Sequence, residues 1–181
     1  EETPNAAKGT VDYAKKMEEK YARMEKSSVQ SYSIKLRSFT QGELDFWGSY
    51  GITKAVLDRY NVHAVEACNI VKKDGKSFSV MSSEYIPMFG YSFNSGRGYK
   101  IYRPKATNRF MYVGKLPSPY IFGWDQLPEK GDRVFITGGE KDVMSLAAHG
   151  YHAISFNSET AKLPADILQE LSRRFGSIIL L

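Results

Sequence analysis

The chain has 181 residues, 42% of them hydrophobic and 25% charged, with a formal net charge of +5, which is ordinary for a soluble globular protein with one good core or two small ones. Cys68 is the sole cysteine, which excludes a disulfide within the chain and a cysteine-built zinc site. No apolar run approaches the roughly 18 residues of a membrane span and no signal-peptide pattern opens the chain, so a reducing, cytoplasmic setting without a membrane partner is expected.

Residues 1–10 are polar and read as a linker or frayed end. From Val11, the spacing of Ala14, Met17, Tyr21 and Met24 predicts a helix whose narrow apolar stripe suits an exposed connector. Thr40-Gln41-Gly42-Glu43 is a capping box, in which hydroxyl and carboxylate serve each other's backbone donors. It opens a helix carrying Leu44, Phe46 and Trp47 that ends near Gly48, and a second helix follows from Gly51 through Val56, Leu57 and Tyr60. Two apolar runs over 63–71 and 77–81 flank Lys73-Asp74-Gly75-Lys76, a hairpin signal. Short aromatic strands are predicted over 85–93, 99–102 and 109–113, punctuated by Gly96, Gly98, Pro104 and Asn108.

This aromatic region also holds the chain's charge asymmetry. Between Tyr85 and Trp124 lie Arg97, Lys100, Arg103, Lys105, Arg109 and Lys115, with no Asp or Glu, while the other residues sum to about neutral. Eleven of the 24 aromatic residues lie in the same stretch. Rings that stack bases beside cations that meet phosphates suit a single-strand or nucleotide platform; the alternative is one face of an ordinary antiparallel sheet.

Residues 115–131 are a Pro- and Gly-rich connection and a candidate subdomain boundary. Beyond it the pattern becomes strand (134–137), helix (140–149), strand (152–156), helix (164–175) and strand (177–181). Pro164 suits the first helical position, Ile167, Leu168 and Leu171 form a buried face, and Gly176 reads as the helix stop. Such alternation predicts a parallel sheet with right-handed crossovers. The run Ser177-Ile178-Ile179-Leu180-Leu181 reads as a strand entered and cut off, so the chain is expected to be a piece of a longer protein.

In open parallel sheets chemistry gathers at the carboxyl ends of the strands. The first such end presents Gly138, Gly139, Glu140, Lys141 and Asp142, and the second Asn157, Ser158, Glu159 and Thr160. A carboxylate there can hold Mg²⁺, and a neighbouring lysine can neutralise phosphate, which suits phosphoryl or nucleotidyl transfer. Acids at a helix start are also favoured by the dipole alone, and an acid-base-acid run is commonly a solvated face. The Gly-Gly turn lacks the third glycine of a dinucleotide loop, and Glu140 would repel a pyrophosphate. His149 and His152 straddle Gly150 and read as structural.

The segment Phe135-Ile136-Thr137-Gly138-Gly139-Glu140-Lys141-Asp142-Val143-Met144-Ser145-Leu146 resembles the first motif of Toprim domains, which occur in bacterial and phage primases and in topoisomerases. Ala153-Ile154-Ser155-Phe156-Asn157-Ser158-Glu159-Thr160 resembles the next strand and turn in the primase branch. Upstream, Phe46-Trp47 with Tyr50-Gly51-Ile52, then Leu57, Tyr60 and Val62, is similar to the start of a primase core, and Gly98-Tyr99-Lys100-Ile101-Tyr102-Arg103-Pro104 to its basic strand. The resemblance covers residues 38–181 and points to DnaG-type and phage primase-helicase proteins.

It implies an α+β N-terminal subdomain with a mainly antiparallel sheet over 38–130, after a linker and connecting helix over 1–37, then a partial α/β Toprim domain with a parallel sheet over 131–181. It also implies catalytic roles for Glu140, Lys141 and Asp142, with Glu140 as ligand to Mg²⁺ or Mn²⁺ or as general base. Lys100, Arg103, Lys105, Arg109, Asn157 and Ser158 would meet nucleic acid or nucleotide. The implied activity is RNA primer synthesis on single-stranded DNA from ribonucleotides, beside a replicative helicase, separate or fused. Two departures stand out. Gly138 occupies a position that is often acidic in the family, and the family's Asp-x-Asp pair would fall beyond Leu181, so the piece is expected to be inactive alone. The alternatives are a non-catalytic nucleic-acid-binding module on a degenerate Toprim scaffold, or a Toprim nuclease or topoisomerase.

Overall fold

The computed structural model describes residues 29–157 and 163–181; the connecting helix expected from Val11 and the site candidate Ser158 lie outside them. The strands are β1 (Val29–Arg37), β2 (Val62–Lys72), β3 (Ser77–Met81), β4 (Phe89–Phe93), β5 (Gly98–Tyr102), β6 (Phe110–Gly114), β7 (Ile121–Phe122), β8 (Gly131–Thr137), β9 (Ala153–Phe156) and β10 (Phe175–Leu180). The helices are α1 (Gln41–Gly48), α2 (Lys54–Arg59), α3 (Glu140–Ala148) and α4 (Ala165–Arg174). Among the described residues no helix is long and apolar enough to cross a membrane.

The larger sheet runs β1-β2-β4-β5-β6 with β3 on β2, and β2 with β4, β4 with β5 and β5 with β6 pair antiparallel. The smaller sheet runs β10-β8-β9-β7. In it β10, β8 and β9 are parallel, as the strand-helix alternation predicts, but β7 joins β9 antiparallel, so the sheet is mixed. The cause is Ile121-Phe122: two apolar residues inside the Pro- and Gly-rich connection, too short to register as a strand in sequence, complete the sheet edge. Gly123 follows at φ +88°, and a Cβ there would lie 2.6 Å from the Ala153 carbonyl oxygen, so only glycine lets the chain leave β7 so close to β9.

Chain contacts form two compact units. The smaller described unit holds residues 29–33 with Asn69–Ser79, where the Lys72 amide donates to the Lys76 carbonyl at 2.8 Å and Asn69 bonds Ser33 and Ser79. The larger unit is Ile34–Cys68 with Val80–Leu181 and contains two clusters of core residues and the contacts of the candidate site.

In the larger unit α1 begins with the expected capping box: Glu43 N–H donates to Thr40 Oγ1 at 3.3 Å, and Thr40 N–H to Glu43 Oε2 at 3.0 Å. Arg37 then grips the same carboxylate with two bonds of 2.7 Å. Alternation along β8 and β9 builds two layers on the smaller sheet. Val134, Ile136, Ile154 and Phe156 pack with Leu171 of α4, while Ala153 packs with Val143 and Met144 of α3, Trp47 of α1 and the aromatic face of β4 and β5. The sequence places the end of α4 at Gly176, but the helix closes at Arg174 and Phe175 is already extended at φ −126°. Gly176 instead lies within β10, where a Cβ would come 3.0 Å from the Asp132 carbonyl oxygen of β8.

Candidate functional site

The middle of β5 and the carboxyl end of β8 meet at one buried ion pair. Gly98 opens β5 where a Cβ would lie 2.3 Å from the Lys115 carbonyl oxygen, so glycine lets β5 and β6 close on each other. Two residues on, Lys100 is 4% exposed, and its Nζ donates to Glu140 Oε1 at 2.6 Å. Glu140 is the first residue of α3, at the carboxyl end of β8, and is 5% exposed. Tyr120, just before β7, donates its hydroxyl to the same Oε1 at 2.7 Å. Both bonds converge on Oε1, and Oε2 takes neither.

Three rings surround the Lys100 ammonium: its Nζ lies 4.7 Å from the Phe110 centroid, 5.4 Å from Tyr120 and 5.8 Å from Tyr112. Asn157, at the carboxyl end of β9, accepts from Lys100 at 3.4 Å and from the Tyr112 hydroxyl at 3.2 Å through one amide oxygen. Burial first, and then the Glu140 charge, hold the Tyr120 and Tyr91 hydroxyls well above the usual tyrosine range. Tyr120 is thus a fixed neutral donor to a carboxylate, not a proton source at neutral pH.

The other sequence candidates fall in different places. Lys141 lies 3.7 Å above the Tyr50 ring centroid, and Ser145 Oγ donates to the Tyr50 carbonyl at 2.8 Å, so the first turns of α3 clasp the loop after α1. Asp142 is exposed and lines a cavity of about 300 Å³ with Thr137, Gly138, Ser145, Leu146 and Leu181, beside the end of β8. Arg103 points its guanidinium to Met111 Sδ at 4.0 Å; Met111 pairs with Ile101, so Arg103 is on the sheet face opposite Lys100. Lys105 and Arg109 are exposed, and Arg109 donates to the Tyr102 hydroxyl at 3.3 Å. The four candidate bases that read as one surface in sequence are therefore divided: one buried in the ion pair, one on the far face, two exposed around the β5–β6 turn. Gly139 meets only Asp142 Oδ2, at 3.8 Å from an added Cβ, so nothing in the described chain demands close backbone approach there.

His149 bonds the Ser145 carbonyl at 2.8 Å and the His152 ring sits 6.1 Å from Phe175, the structural roles expected of them. Among the described residues no three His, Cys, Asp or Glu side chains converge on a point that could hold a metal ion. What they offer a hard cation is the unbonded carboxylate oxygen of Glu140. That suits Mg²⁺ only in its usual manner, with one or two carboxylates and the rest of the shell from water and phosphate oxygens.

Tyr120, Tyr112 and Phe110 belong to this cluster but carried no individual signal in sequence. They were three among many aromatics, and only the β5–β6 register and the β7 turn bring them to Lys100.

No protein-family model matches the chain, and no curated protein matches it. Solved structures do. One is a chain in the bacteriophage T7 structure of the lagging-strand DNA polymerase interacting with primase domains of two gp4 subunits bound to an RNA/DNA hybrid and dTTP. It is 15% identical, with 81% of this chain and 63% of that one covered and a TM-score of 0.51. Another is the primase fragment of the bacteriophage T7 primase-helicase protein, 15% identical, with coverages of 81% and 59% and a TM-score of 0.46. This chain thus spans about three fifths of the length of the solved chains it matches. The first of these likenesses shows a primase-like fold.

Proposed function

We propose that the chain is part of a Toprim-type primase catalytic core that, in the full protein, joins ribonucleotides on a single-stranded DNA template. The observation that carries this reading is the buried Lys100–Glu140 pair, which ties β5 of a basic, aromatic antiparallel sheet to the carboxyl end of a parallel strand. Glu140 is the acting carboxylate. Lys100 and Tyr120 fix its Oε1, so that Oε2 faces the reaction in one orientation. Asn157 holds Lys100 from the neighbouring strand end, with Ser158 next in sequence. Lys105 and Arg109 meet template phosphates at the open sheet edge, and Arg103 contributes from the far face. Lys141 and Asp142 flank Glu140, the first locking the loop at Tyr50 and the second facing the cavity.

Mg²⁺ or Mn²⁺ belongs to the proposal, held by Glu140 Oε2 and by the phosphates it would neutralise. A replicative helicase, separate or fused, belongs to it as partner. The test is template-dependent ribonucleotide incorporation by the full-length protein. Glu140→Gln is expected to lower it at least about 100-fold, in the range of losing a principal electrostatic group; unchanged incorporation removes Glu140 from the reaction.

A second reading, a non-catalytic nucleic-acid-binding module on a degenerate scaffold, is favoured by one feature: Glu140 already has its charge balanced inside the protein. Under it Glu140→Gln would alter stability and leave strand binding in place.

A further inference from the structure

The face of the larger sheet that carries Lys100 is covered unevenly. Over β4 and β5 it is sealed by Trp47, Tyr120 and Phe122, which pack with Phe89, Tyr91 and Tyr102 in one buried cluster. β6 is the edge strand, and its register sets Phe110 opposite Tyr102 and Tyr112 opposite Lys100. The Phe110 ring stacks on Tyr102, with centroids 5.3 Å apart and planes 20° apart. Yet Tyr102 is 5% exposed and Phe110 37%.

That ring is also fixed and polarised. The Arg109 guanidinium lies 5.7 Å from the Tyr102 centroid and 5.9 Å from Phe110, and bonds the Tyr102 hydroxyl, so it spans both rings. Lys100 Nζ approaches Phe110 to 4.7 Å from the other strand. An aromatic held by a neighbouring ring and two cations, while leaving about a third of its surface in water, can serve as a shelf for a further flat ring. Exposed Arg109 adjoins Phe110, exposed Lys105 lies in the turn before β6 and exposed Lys115 follows the far end of β6, and no Asp or Glu occurs anywhere between Tyr85 and Trp124. Charge of one sign selects a polyanion, and a flat open ring selects a polyanion whose units have π-faces.

We propose that Phe110 is the stacking shelf for one unpaired base of a single-stranded nucleic acid running along the β6 edge, with its phosphates on Lys105 and Arg109. The inference rests on the reading above for the class of ligand, and it adds the residue that meets the base.

The probe is a labelled oligo(dT) and a strand of equal length that is abasic throughout, titrated against the full-length protein by fluorescence anisotropy. Phe110→Leu keeps the apolar packing and removes the stack; it is expected to weaken oligo(dT) binding about 5- to 150-fold, the loss of one aromatic–base stack. The same variant binds the abasic strand as the parent does and leaves the salt slope unchanged, whereas Lys105→Ala lowers that slope by about 0.7. Phe110→Tyr restores binding. Equal binding of oligo(dT) by parent and Phe110→Leu overturns the proposal, as does an equal loss on both strands or a Tyr variant as weak as Leu. Because the assay needs no synthesis, loss of stacking with intact synthesis in Glu140→Gln removes only the catalytic reading, and the converse pattern removes only the shelf.

Discussion

Lys100→Met isolates what the buried pair does for the fold. Methionine keeps most of the lysine stem against Phe110, Tyr112 and Tyr120 but leaves the Glu140 carboxylate buried, with Tyr120 as its remaining donor. The side chains of Lys100 and Glu140 are 5% and 6% exposed, so solvent screens the lost interaction little. Removing one partner of a buried pair costs about 3–5 kcal/mol, most of it from the orphaned charge. For a chain of this size that is a fall in thermal midpoint of roughly 6–20 °C. Urea unfolding of parent, Lys100→Met, Glu140→Leu and the double variant closes a cycle. The double variant is expected to regain most of the loss, because an apolar pair leaves no uncompensated charge. A loss in Lys100→Met below about 1 kcal/mol, the level of an exposed pair, would refute the reasoning. So would a double variant no more stable than the single one.

Two further outcomes follow from groups elsewhere in the larger unit. Burial pushes the Glu43 carboxyl up, but the bonds from Arg37 and the Thr40 amide outweigh it and hold it below the ordinary value of 4.5. A depressed carboxyl contributes stability that is fully present above about pH 4.5 and is lost as pH falls through the lower folded value. Glu43→Gln should therefore cost about 1.5–3 kcal/mol at pH 7 and flatten the acid limb of urea unfolding; a limb as steep as the parent's would count against the clamp. Cys68 is fully buried, and burial pushes its thiol up to about 11. A thiol reagent at pH 8 should label it only through unfolding, so native labelling as fast as in urea would contradict its placement.

How far the sequence was legible follows from where the signals were local. The capping box at Thr40, the hairpin around Gly75 and the alternation from β8 to β10 are written in adjacent residues, and all three are present. β7 was hidden because two residues cannot show a period, and Gly176 misled because glycine serves close strand approach as well as helix ends. At the site, Glu140 stood out by its place after a strand. That Lys100 is its partner could not be read: 40 residues separate them, and a lysine in a basic stretch looks like a surface charge. Arg103 likewise reads as its companion, though strand alternation puts it on the other face.

The proposed function requires Glu140 to act in synthesis and not only in the fold. The most direct measurement is single-turnover ribonucleotide incorporation on a single-stranded template by full-length protein carrying Glu140→Gln, with strand affinity measured on the same preparation. Incorporation is predicted to fall at least about 100-fold while affinity stays near the parent's, because the glutamine keeps the shape and loses the charge. Incorporation at the parent's rate, or a fall matched by an equal loss of affinity, would contradict the account.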